Sequence, residues 1–325
     1  MTIDSVVDGL LDRTIVLGYG NVGLAARRRL PGWPADPPRI DGAVVVVTGA
    51  ASGLGLASAT GFARLGATVY ALARDERRAA QAVARILAAA PGGDVRAASC
   101  DVSSLGAIRT FAEQFIAGES RLDVLVNNAG VMPDERTTSV DGHELMFATH
   151  VLAPVALTSL LVGPLTRAAP SRVINVSSGG MYAEALPTRD WESERTGYSP
   201  KKLYARTKRE EVELTGLVAE RLCRRGVTVH AMHPGWSDTE GVRRWMPTFH
   251  ALTRPIIRTP EQGADTIVWL GAAPEPLGQG GLFWHDRRPR PTHYRLGAAP
   301  DTRADREALW RYCEQALAEA GIPGL

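Results

Sequence analysis

One stretch, AVVVVTGAASGLGLASATGFARLGATVYALARD at residues Ala43–Asp75, predicts the architecture of most of the chain. A run of valines precedes a glycine-rich turn, which is followed by an uninterrupted helical pattern and a second apolar strand pattern. This order predicts a βαβ unit whose turn and helix N-terminus present backbone amides and partial positive charge to a phosphate. We therefore expect a dinucleotide to bind at the turn Thr48–Gly55.

An earlier glycine cluster, Gly18-Tyr19-Gly20-Asn21-Val22-Gly23, competes for that role because it is a literal G-x-G-x-x-G. The run before it is short, a helix after it must end before Pro31, and no complete βαβ unit follows. We therefore expect the second cluster, and not the first, to hold the nucleotide. The breaker-rich segment Pro31–Pro38 sets residues 1–40 apart as an N-terminal extension and linker, leaving residues 41–325 as the main domain.

After the linker, strand and helix patterns alternate to the end of the chain, which favours one α/β domain. The expected fold is a Rossmann-type doubly wound parallel sheet of about seven strands with a C-terminal helix. The expected strands are Ala43–Val47, Thr68–Leu72, Asp94–Ser99, Leu122–Val126, Arg172–Val176, Val227–Met232 and Gly281–Trp284. The expected helices are Leu54–Leu65, Arg77–Ala89, Leu105–Ala117, His143–Leu161, Lys201–Arg224, Glu261–Leu270 and one around Thr302–Ala320.

Composition excludes several classes of protein. The 325 residues carry 37 basic and 35 acidic side chains, and no basic stripe with interleaved aromatics indicates nucleic-acid binding. Three cysteines without a C-x-x-C pair fit a reducing compartment. His230 and His233 lie in a strand pattern, so we expect no zinc site there. No long apolar run or secretion signal is evident, which favours a cytoplasmic protein.

Motifs further along the chain occur in a characteristic order. The glycine turn has the form T-G-x-x-x-G-x-G. It is followed by Asp101-Val102, Asn127-Asn128-Ala129-Gly130, Ser177-Ser178, Tyr204-Ala205-Arg206-Thr207-Lys208 and Pro234-Gly235 with Thr239. From about Gly42 onward, the chain resembles the short-chain dehydrogenase/reductase family. The stretches VINVSSGGM, MHPGWSDTEGV, EQGADTIVWL and DRRPRPTHY are most similar to a branch of that family that also has an N-terminal extension.

The resemblance implies carbonyl–alcohol exchange with a tyrosine as acid/base. Two pairs have the required i, i+4 spacing, Tyr198 with Lys202 and Tyr204 with Lys208. Proline is tolerated in the first turn of a helix, so the helix should begin near Pro200 and leave Tyr198 outside it. We expect Tyr204 to be the acid/base, because a nearby ammonium such as Lys208 favours a phenolate.

Two further catalytic residues follow from the resemblance. Ser178 is expected to hydrogen-bond the substrate oxygen, with Ser177 the weaker alternative. The family's fourth catalytic residue is an asparagine, and His150 stands at that position. A neutral imidazole offers one donor and one acceptor, so His150 can replace the asparagine, and activity should fall as it becomes protonated. The alternative is a packed core histidine in a weakly active member.

The resemblance also implies the cofactor site. Arg74 follows the second strand where NAD-preferring members have an aspartate at the position of Ala73, so NADP(H) is favoured over NAD(H), although Asp75 lies next to it. The expected cofactor-binding residues are Gly49, Ser52, Gly53, Leu54, Gly55, Arg74, Asp101, Val102, Asn128, Ala129, Gly130, Tyr204, Lys208, Pro234, Gly235 and Thr239.

The substrate side is less specific. The loop after Gly235 contains Trp236, Val242, Trp245, Met246 and Phe249, which favours an apolar carbonyl or alcohol. A long insert, Gly179–Lys202, is expected to form a pocket wall. The rival hypothesis is a nucleotide-binding regulatory or scaffold protein with vestigial catalysis. The sequence also leaves open whether the protein forms a homo-oligomer.

The extension has two interpretations of its own. Val6, Val7, Leu10, Leu11 and Leu17 could form an apolar stripe beside Arg13 and Arg27–Arg29. This stripe predicts either a strap packed on the catalytic domain or on a dimer partner, or a peripheral anchor on anionic lipid.

Overall fold

The computed structural model describes residues 3–14, 18–294 and 300–325. Within these residues, eight strands form one sheet in the order β3-β2-β1-β4-β5-β6-β7-β8. The strands are β1 Val44–Thr48, β2 Thr68–Ala73, β3 Asp94–Ser99, β4 Val124–Asn127, β5 Ser171–Val176, β6 Val227–Met232, β7 Phe283–His285 and β8 Arg288–Arg290. All neighbours pair in parallel except β7 and β8. This architecture confirms the Rossmann-type expectation.

Helices cover both faces of the sheet. The helix α6 is a continuous run of Leu145–Phe147, a π-helical turn Ala148–Leu152, and Ala153–Leu160. The other helices are α1 Ile3–Arg13, α2 Asn21–Arg27, α3 Gly53–Arg64, α4 Glu76–Ala89, α5 Leu105–Gly118, α7 Val162–Arg167, α8 Pro200–Leu222, α9 Glu240–Trp245, α10 Pro247–Thr253, α11 Pro260–Ala272 and α12 Arg303–Glu319. No helix in the described ranges has the length and apolar character needed to cross a bilayer.

The strand β8 and the two short helices α9 and α10 are absent from the sequence-based assignment. The β8 sequence, Arg288-Pro289-Arg290, has neither apolar alternation nor β-branched residues, so no strand pattern is visible. It forms because the tight turn at Asp286 and Arg287, both with positive φ, folds the chain back onto β7. The result is an antiparallel strand at the edge of an otherwise parallel sheet, as many large sheets have.

Two apolar cores lie on the two sides of the sheet. One packs α5, α6, α8 and α12 against it, and the C-terminal helix contributes Leu309, Trp310, Cys313 and Leu317. The other packs α3, α4 and α11, with Phe62, Trp269 and Trp284 as its largest members. The buried side chains of the C-terminal helix pack α12 against the sheet.

The described part of the N-terminal extension packs against the rest of the protein. Tyr19 and Leu24 are buried, and the Asn21 amide donates to the Ile256 carbonyl oxygen at 2.7 Å. The first glycine cluster therefore begins a short helix, α2, that lies against the loop after β6. Val6 and Leu10 are exposed on α1, whereas Leu17 of the predicted stripe lies outside the described residues.

Candidate active site

The turn after β1 has the backbone geometry that close approach to a phosphate requires. Gly49 and Gly53 have φ values of 66° and 52°, in the region that favours glycine. A Cβ atom on Gly55 would overlap the Gly49 carbonyl oxygen. Ser52 is the N-cap of α3, but its side chain makes no capping hydrogen bond. The first amides of this helix are therefore not capped by Ser52 and fit a diphosphate.

The loop after β4 lies beside this turn. The Thr48 hydroxyl accepts hydrogen bonds from the backbone amides of Asn128 at 2.8 Å and Ala129 at 2.9 Å. The Asn128 side-chain amide donates to the Thr48 carbonyl oxygen at 2.8 Å. A Cβ on Gly53 would lie 3.3 Å from the Thr239 methyl carbon, so the loop after β6 reaches the same place. The carboxyl ends of β1, β4 and β6 thus meet at one edge of the sheet, where open α/β sheets bind ligands.

The end of β2 presents an arginine to solvent. Arg74 is exposed, while Asp75 is the N-cap of α4 and accepts a hydrogen bond from the Arg78 amide at 2.8 Å. Asp75 also pairs with the Arg78 guanidinium at 3.3 Å. The carboxylate that weakened the NADP(H) expectation therefore has a local structural role.

Asp101 and Val102 follow β3 at the same edge. One Asp101 carboxylate oxygen accepts from the Ser103 amide at 3.0 Å and from the Ser103 hydroxyl at 2.7 Å. Val102 packs at the margin of the core. These contacts hold the loop after β3 in place, and Asp101 remains partly exposed.

The helix α8 begins at Pro200, so Tyr198 lies outside it and Tyr204 lies inside it. The Tyr198 hydroxyl donates to the Pro133 carbonyl oxygen at 2.7 Å, and burial raises the pKa of this phenol to about 12. The Lys208 ammonium is buried and donates to the Val176 carbonyl oxygen at 2.9 Å. It also contacts the Glu211 carboxylate at 3.1 Å. These contacts tie the tyrosine–lysine helix to the end of β5.

The two serines after β5 differ in their availability. The Ser177 hydroxyl is buried and donates to the Lys208 backbone carbonyl at 2.8 Å. Ser178 is partly exposed, and its hydroxyl accepts from the Gly180 amide at 3.1 Å. Accepting that bond leaves the Ser178 proton available to a substrate oxygen.

His150 lies at the π-helical turn of α6 and is fully buried. Its Nε2 accepts from the Val131 amide at 3.0 Å, so Nδ1 carries the proton and donates to the Thr207 hydroxyl at 2.8 Å. Thr207 in turn donates to the Tyr204 carbonyl oxygen at 3.0 Å. Burial, reinforced by the Lys208 charge, lowers the pKa of His150 well below its usual value.

The imidazole of His150 therefore provides one donor and one acceptor, as expected. The acceptor binds the Val131 amide and the donor binds the Thr207 hydroxyl. Its ring also meets the Tyr204 ring edge-on, with centroids 5.5 Å apart. It connects the loop after β4 to the helix that carries Tyr204 and Lys208. Thr207 and Glu211, each three residues after one of that pair, escaped the sequence analysis although their i+3 spacing places them on the same helix face.

An apolar wall adjoins Tyr204. Met132, Met146 and Leu203 form a buried cluster against which Tyr204 and Trp245 both pack. The rings of Trp236 and Phe249 meet edge-on, with centroids 5.0 Å apart. The loop after Gly235 thus contributes Trp245 to the apolar cluster that Tyr204 packs against.

The two histidines at the end of β6, His230 and His233, contact different partners. The imidazole Nε2 of His230 is 3.0 Å from the Pro276 carbonyl oxygen, and His233 Nδ1 accepts from the Gly235 amide at 3.3 Å. Gly235, with a φ of 73°, directly follows Pro234 and packs closely against Tyr19. The Pro234-Gly235 turn is therefore stabilised from the side of the N-terminal extension.

The fold, the glycine turn and the tyrosine–lysine helix define a nucleotide-dependent oxidoreductase, and the comparison with known proteins agrees. Residues 43–248 match the family model described as short chain dehydrogenase. The chain belongs to the short-chain dehydrogenase/reductase family, whose members are NAD(P)-dependent oxidoreductases acting on CH–OH or C=O groups.

Among curated relatives, the chain is 40% identical over 280 residues to dehydrogenase/reductase SDR family member 12 of Bos taurus, which covers 85% of this chain and 87% of that protein. The stretches VINVSSGGM, MHPGWSDTEGV, EQGADTIVWL and DRRPRPTHY predict similarity to one branch of the family. This match confirms that prediction. Retinol dehydrogenase 14 of Mus musculus is 35% identical over 309 residues, covering 88% and 91% of the two chains.

Solved structures show the same fold. An uncharacterized protein from Mycobacterium paratuberculosis superposes with a TM-score of 0.67 at 28% identity, covering 87% of this chain and 96% of that chain. An NAD(P)-dependent gluconate 5-dehydrogenase from Beutenbergia cavernae, with bound NADP, gives a TM-score of 0.63 at 25% identity and covers 76% and 96% of the two chains.

Proposed function

We propose that this protein is an NADP(H)-dependent reductase or dehydrogenase that interconverts an apolar carbonyl and its alcohol, with Tyr204 as the acid/base. The observation that carries the proposal is the connection between Lys208 and the serine turn. Lys208 donates to the Val176 carbonyl, and Ser177 donates back to the Lys208 carbonyl. These bonds hold the helix of Tyr204 against the turn of Ser178, at the edge of the sheet where the glycine turn lies.

The residues at this edge suit a nicotinamide nucleotide. The helix amides not capped by Ser52 support a diphosphate there, and the missing side chain of Gly55 lets the turn close tightly on the Gly49 carbonyl oxygen. When bound, the nucleotide supplies or accepts the hydride. In the reducing direction, Tyr204 gives its proton to the carbonyl oxygen, and Ser178 donates a hydrogen bond to the same oxygen. Lys208 ties the helix of Tyr204 to the end of β5, and His150 with Thr207 fixes the backbone of Tyr204.

A first test compares Tyr204→Phe with Tyr198→Phe. We expect Tyr204→Phe to lose at least about 100-fold in kcat/KM, because a positioned acid/base contributes roughly 10²- to 10⁴-fold. The control Tyr198→Phe removes a phenol that bonds the Pro133 carbonyl, keeps the ring, and should keep most of its activity. The measurement is NADPH oxidation with aldehydes, ketones, quinones and retinoids. Unchanged turnover in Tyr204→Phe contradicts the proposed role, whereas tight NADPH binding without any turnover supports a regulatory protein.

The preference for NADP(H) is supported by the exposed guanidinium of Arg74 beside a capping Asp75. A guanidinium is suited to bind the 2′-phosphate that distinguishes NADP(H) from NAD(H). We expect Arg74→Ala to raise the Kd for NADPH by about 10-fold or more and to change the Kd for NADH little. Arg77→Ala removes an equal charge from an exposed position nearby and serves as the control. Equal losses for both nucleotides, or for both variants, contradict the preference.

An apolar substrate is supported by the cluster that Tyr204 and Trp245 share and by the name of the retinol dehydrogenase relative. The three cysteines are unpaired thiols, two of them buried, which supports a reducing compartment such as the cytoplasm.

A further inference from the structure

The three residues Gly18-Tyr19-Gly20 lie beside the two ends of the substrate-side loop, which we define as Trp236–Ile257. The ends of this loop also meet each other, because the Arg258 amide donates to the Trp236 carbonyl oxygen at 2.7 Å. The Trp236 amide donates to the Tyr19 carbonyl oxygen at 2.8 Å at one end of the loop. At the other end, the Asn21 amide donates to the Ile256 carbonyl oxygen at 2.7 Å. A single short segment of the extension therefore fastens both ends of this loop.

Glycine is required here for close packing. A Cβ on Gly20 would lie 2.7 Å from the Ile256 carbonyl oxygen, which is closer than real Cβ contacts. A Cβ on Gly235, across the same contact, would lie 2.6 Å from the Tyr19 carbonyl oxygen. The first G-x-G-x-x-G thus serves the approach of two backbones, a use of glycine that needs no phosphate.

A buried charge cluster fixes this segment. The Asp286 carboxylate receives Arg27 Nη1 at 2.6 Å and Arg258 Nη1 at 2.6 Å, and both guanidinium groups are almost completely buried. Arg27 Nη1 also donates to the Gly18 carbonyl oxygen at 2.6 Å, and Arg258 Nε donates to the Gly20 carbonyl oxygen at 3.1 Å. Burial alone would raise the pKa of Asp286, but the surrounding positive groups lower it strongly. These charge-assisted bonds hold the Gly18–Gly20 backbone at the base of the loop.

Tyr19 also contacts the serine turn. A Cβ on Gly179, the residue after Ser178, would lie 2.9 Å from the Tyr19 ring. The ring of Tyr19 also packs against His233, with centroids 4.6 Å apart. One side chain of the extension therefore supports the backbone next to Ser178 as well as the strand end that begins the loop.

We propose that the segment Gly18–Arg27 is a positioning element that holds the substrate-side loop against the catalytic edge, with Arg27 as its fastening residue and Tyr19 as the residue that supports the Ser178 turn. The proposal rests on the proposed function for its catalytic consequence. The placement of the loop can be measured without any activity, so failure of one proposal is distinguishable from failure of the other.

The experiment compares Arg27→Ala with Arg28→Ala in the full chain under limited trypsin digestion. Arg243 and Arg244 are exposed within the loop, so cleavage there, followed by mass spectrometry, reports release of the loop. Arg27→Ala leaves Asp286 paired with Arg258 and Asp8 paired with Arg290, so it strands no carboxylate. The control Arg28 is partly exposed and pairs with Asp265.

We expect cleavage at Arg243 and Arg244 to be at least 10-fold faster in Arg27→Ala than in wild type or Arg28→Ala. In the NADPH-oxidation assay, the KM for the carbonyl should rise by at least 5-fold. A second variant, Gly20→Ala, should act in the same way through its clash with Ile256. Its control is Gly9→Ala, because a Cβ on Gly9 meets nothing within 4 Å.

Cleavage at the wild-type rate in folded Arg27→Ala and Gly20→Ala would overturn the proposal. General unfolding of both, seen as loss of the far-UV circular dichroism and cuts along the whole chain, would overturn it as well. If Arg27→Ala and Gly20→Ala are cleaved faster but neither wild type nor any variant turns over a carbonyl, the positioning role is supported. That result contradicts only the proposed function.

Discussion

At the scale of single residues, His150 is held by contacts that the sequence alone does not reveal. Its two ring nitrogens are both hydrogen-bonded, to Val131 and Thr207, and its ring lies against Tyr204. The sequence could predict that a neutral imidazole offers one donor and one acceptor. It could not predict the partners, because they lie on a different loop and a different helix.

His150 should make stability depend on pH. Burial lowers its pKa in the folded state, whereas an unfolded histidine titrates near 6.5. Below about pH 6.5 the unfolded chain binds a proton that the folded protein does not, so wild-type stability falls by up to about 1.4 kcal/mol per pH unit as pH decreases. His150→Asn removes this contribution. Urea unfolding at pH 7.5, 6.5 and 5.5 should therefore show a difference in the free energy of unfolding that moves in favour of the variant as pH falls.

The control is His143→Asn. The hydrogen bond that His143 Nδ1 donates to the Glu192 carboxylate raises the pKa of His143. This residue therefore stabilises the folded state below about pH 6.5 and loses that contribution as pH rises through its folded pKa. The difference in the free energy of unfolding between wild type and His143→Asn should therefore move in favour of wild type as pH falls. Parallel pH profiles for wild type and His150→Asn would show that His150 is not held neutral.

At the scale of elements, the turn between β1 and α3 is the feature that the sequence predicted most directly. The valine run, the glycines and the long helix are all local patterns, and the structure places each of them as expected. The start of α8 at Pro200 follows equally from a local rule. The sequence does not predict β8 or the short helix α9, because their residues carry no periodic pattern. Such elements are stabilised by contacts with other parts of the chain.

The turn gives a direct test at this scale. In Gly55→Ala, the new methyl group would overlap the Gly49 carbonyl oxygen and the Asn128 side chain, so the turn has to widen. We expect the Kd for NADPH to rise by about 10-fold or more, since the helix amides then lie farther from the diphosphate. Calorimetric titration measures it. Gly106→Ala on α5 is the control, because its Cβ meets only a distant serine oxygen, and equal affinities in both variants would contradict this account of the turn.

At the scale of the whole molecule, charges from the first and last parts of the chain meet in one buried cluster. Arg27 contacts Asp8 at 2.8 Å, and Arg290 contacts the same carboxylate at 2.8 Å. Burial opposes ionisation of Asp8, but the two arginines lower its pKa to about 2. The sequence predicts only that Arg27–Arg29 lies beside the apolar stripe of the extension. Only the folded chain shows that Arg27 is buried, because one of its partners, Asp286, is 259 positions away.

Asp286→Ala should therefore destabilise the whole protein. It leaves Arg27 and Arg258 buried without their shared carboxylate, and breaking a buried ion pair in this way costs about 3–5 kcal/mol. Urea unfolding followed by circular dichroism measures the loss. Asp41→Ala breaks the exposed pair with Arg39 and should cause no comparable change. A loss no larger than that of the control would show that the cluster adds little to stability.

The contact between Arg27 and Asp286 spans 259 positions of the chain. A ribosome adds roughly 5–20 residues per second, so Arg27 emerges roughly 10–50 s before Asp286 has been made. During that interval, α1 and α2 are outside the exit tunnel, but the loop after β6 and Asp286, which they contact in the folded protein, have not yet both been made. Nascent chains of this protein should therefore depend on chaperones at their first helices, and pausing of translation before Asp286 should lengthen that dependence.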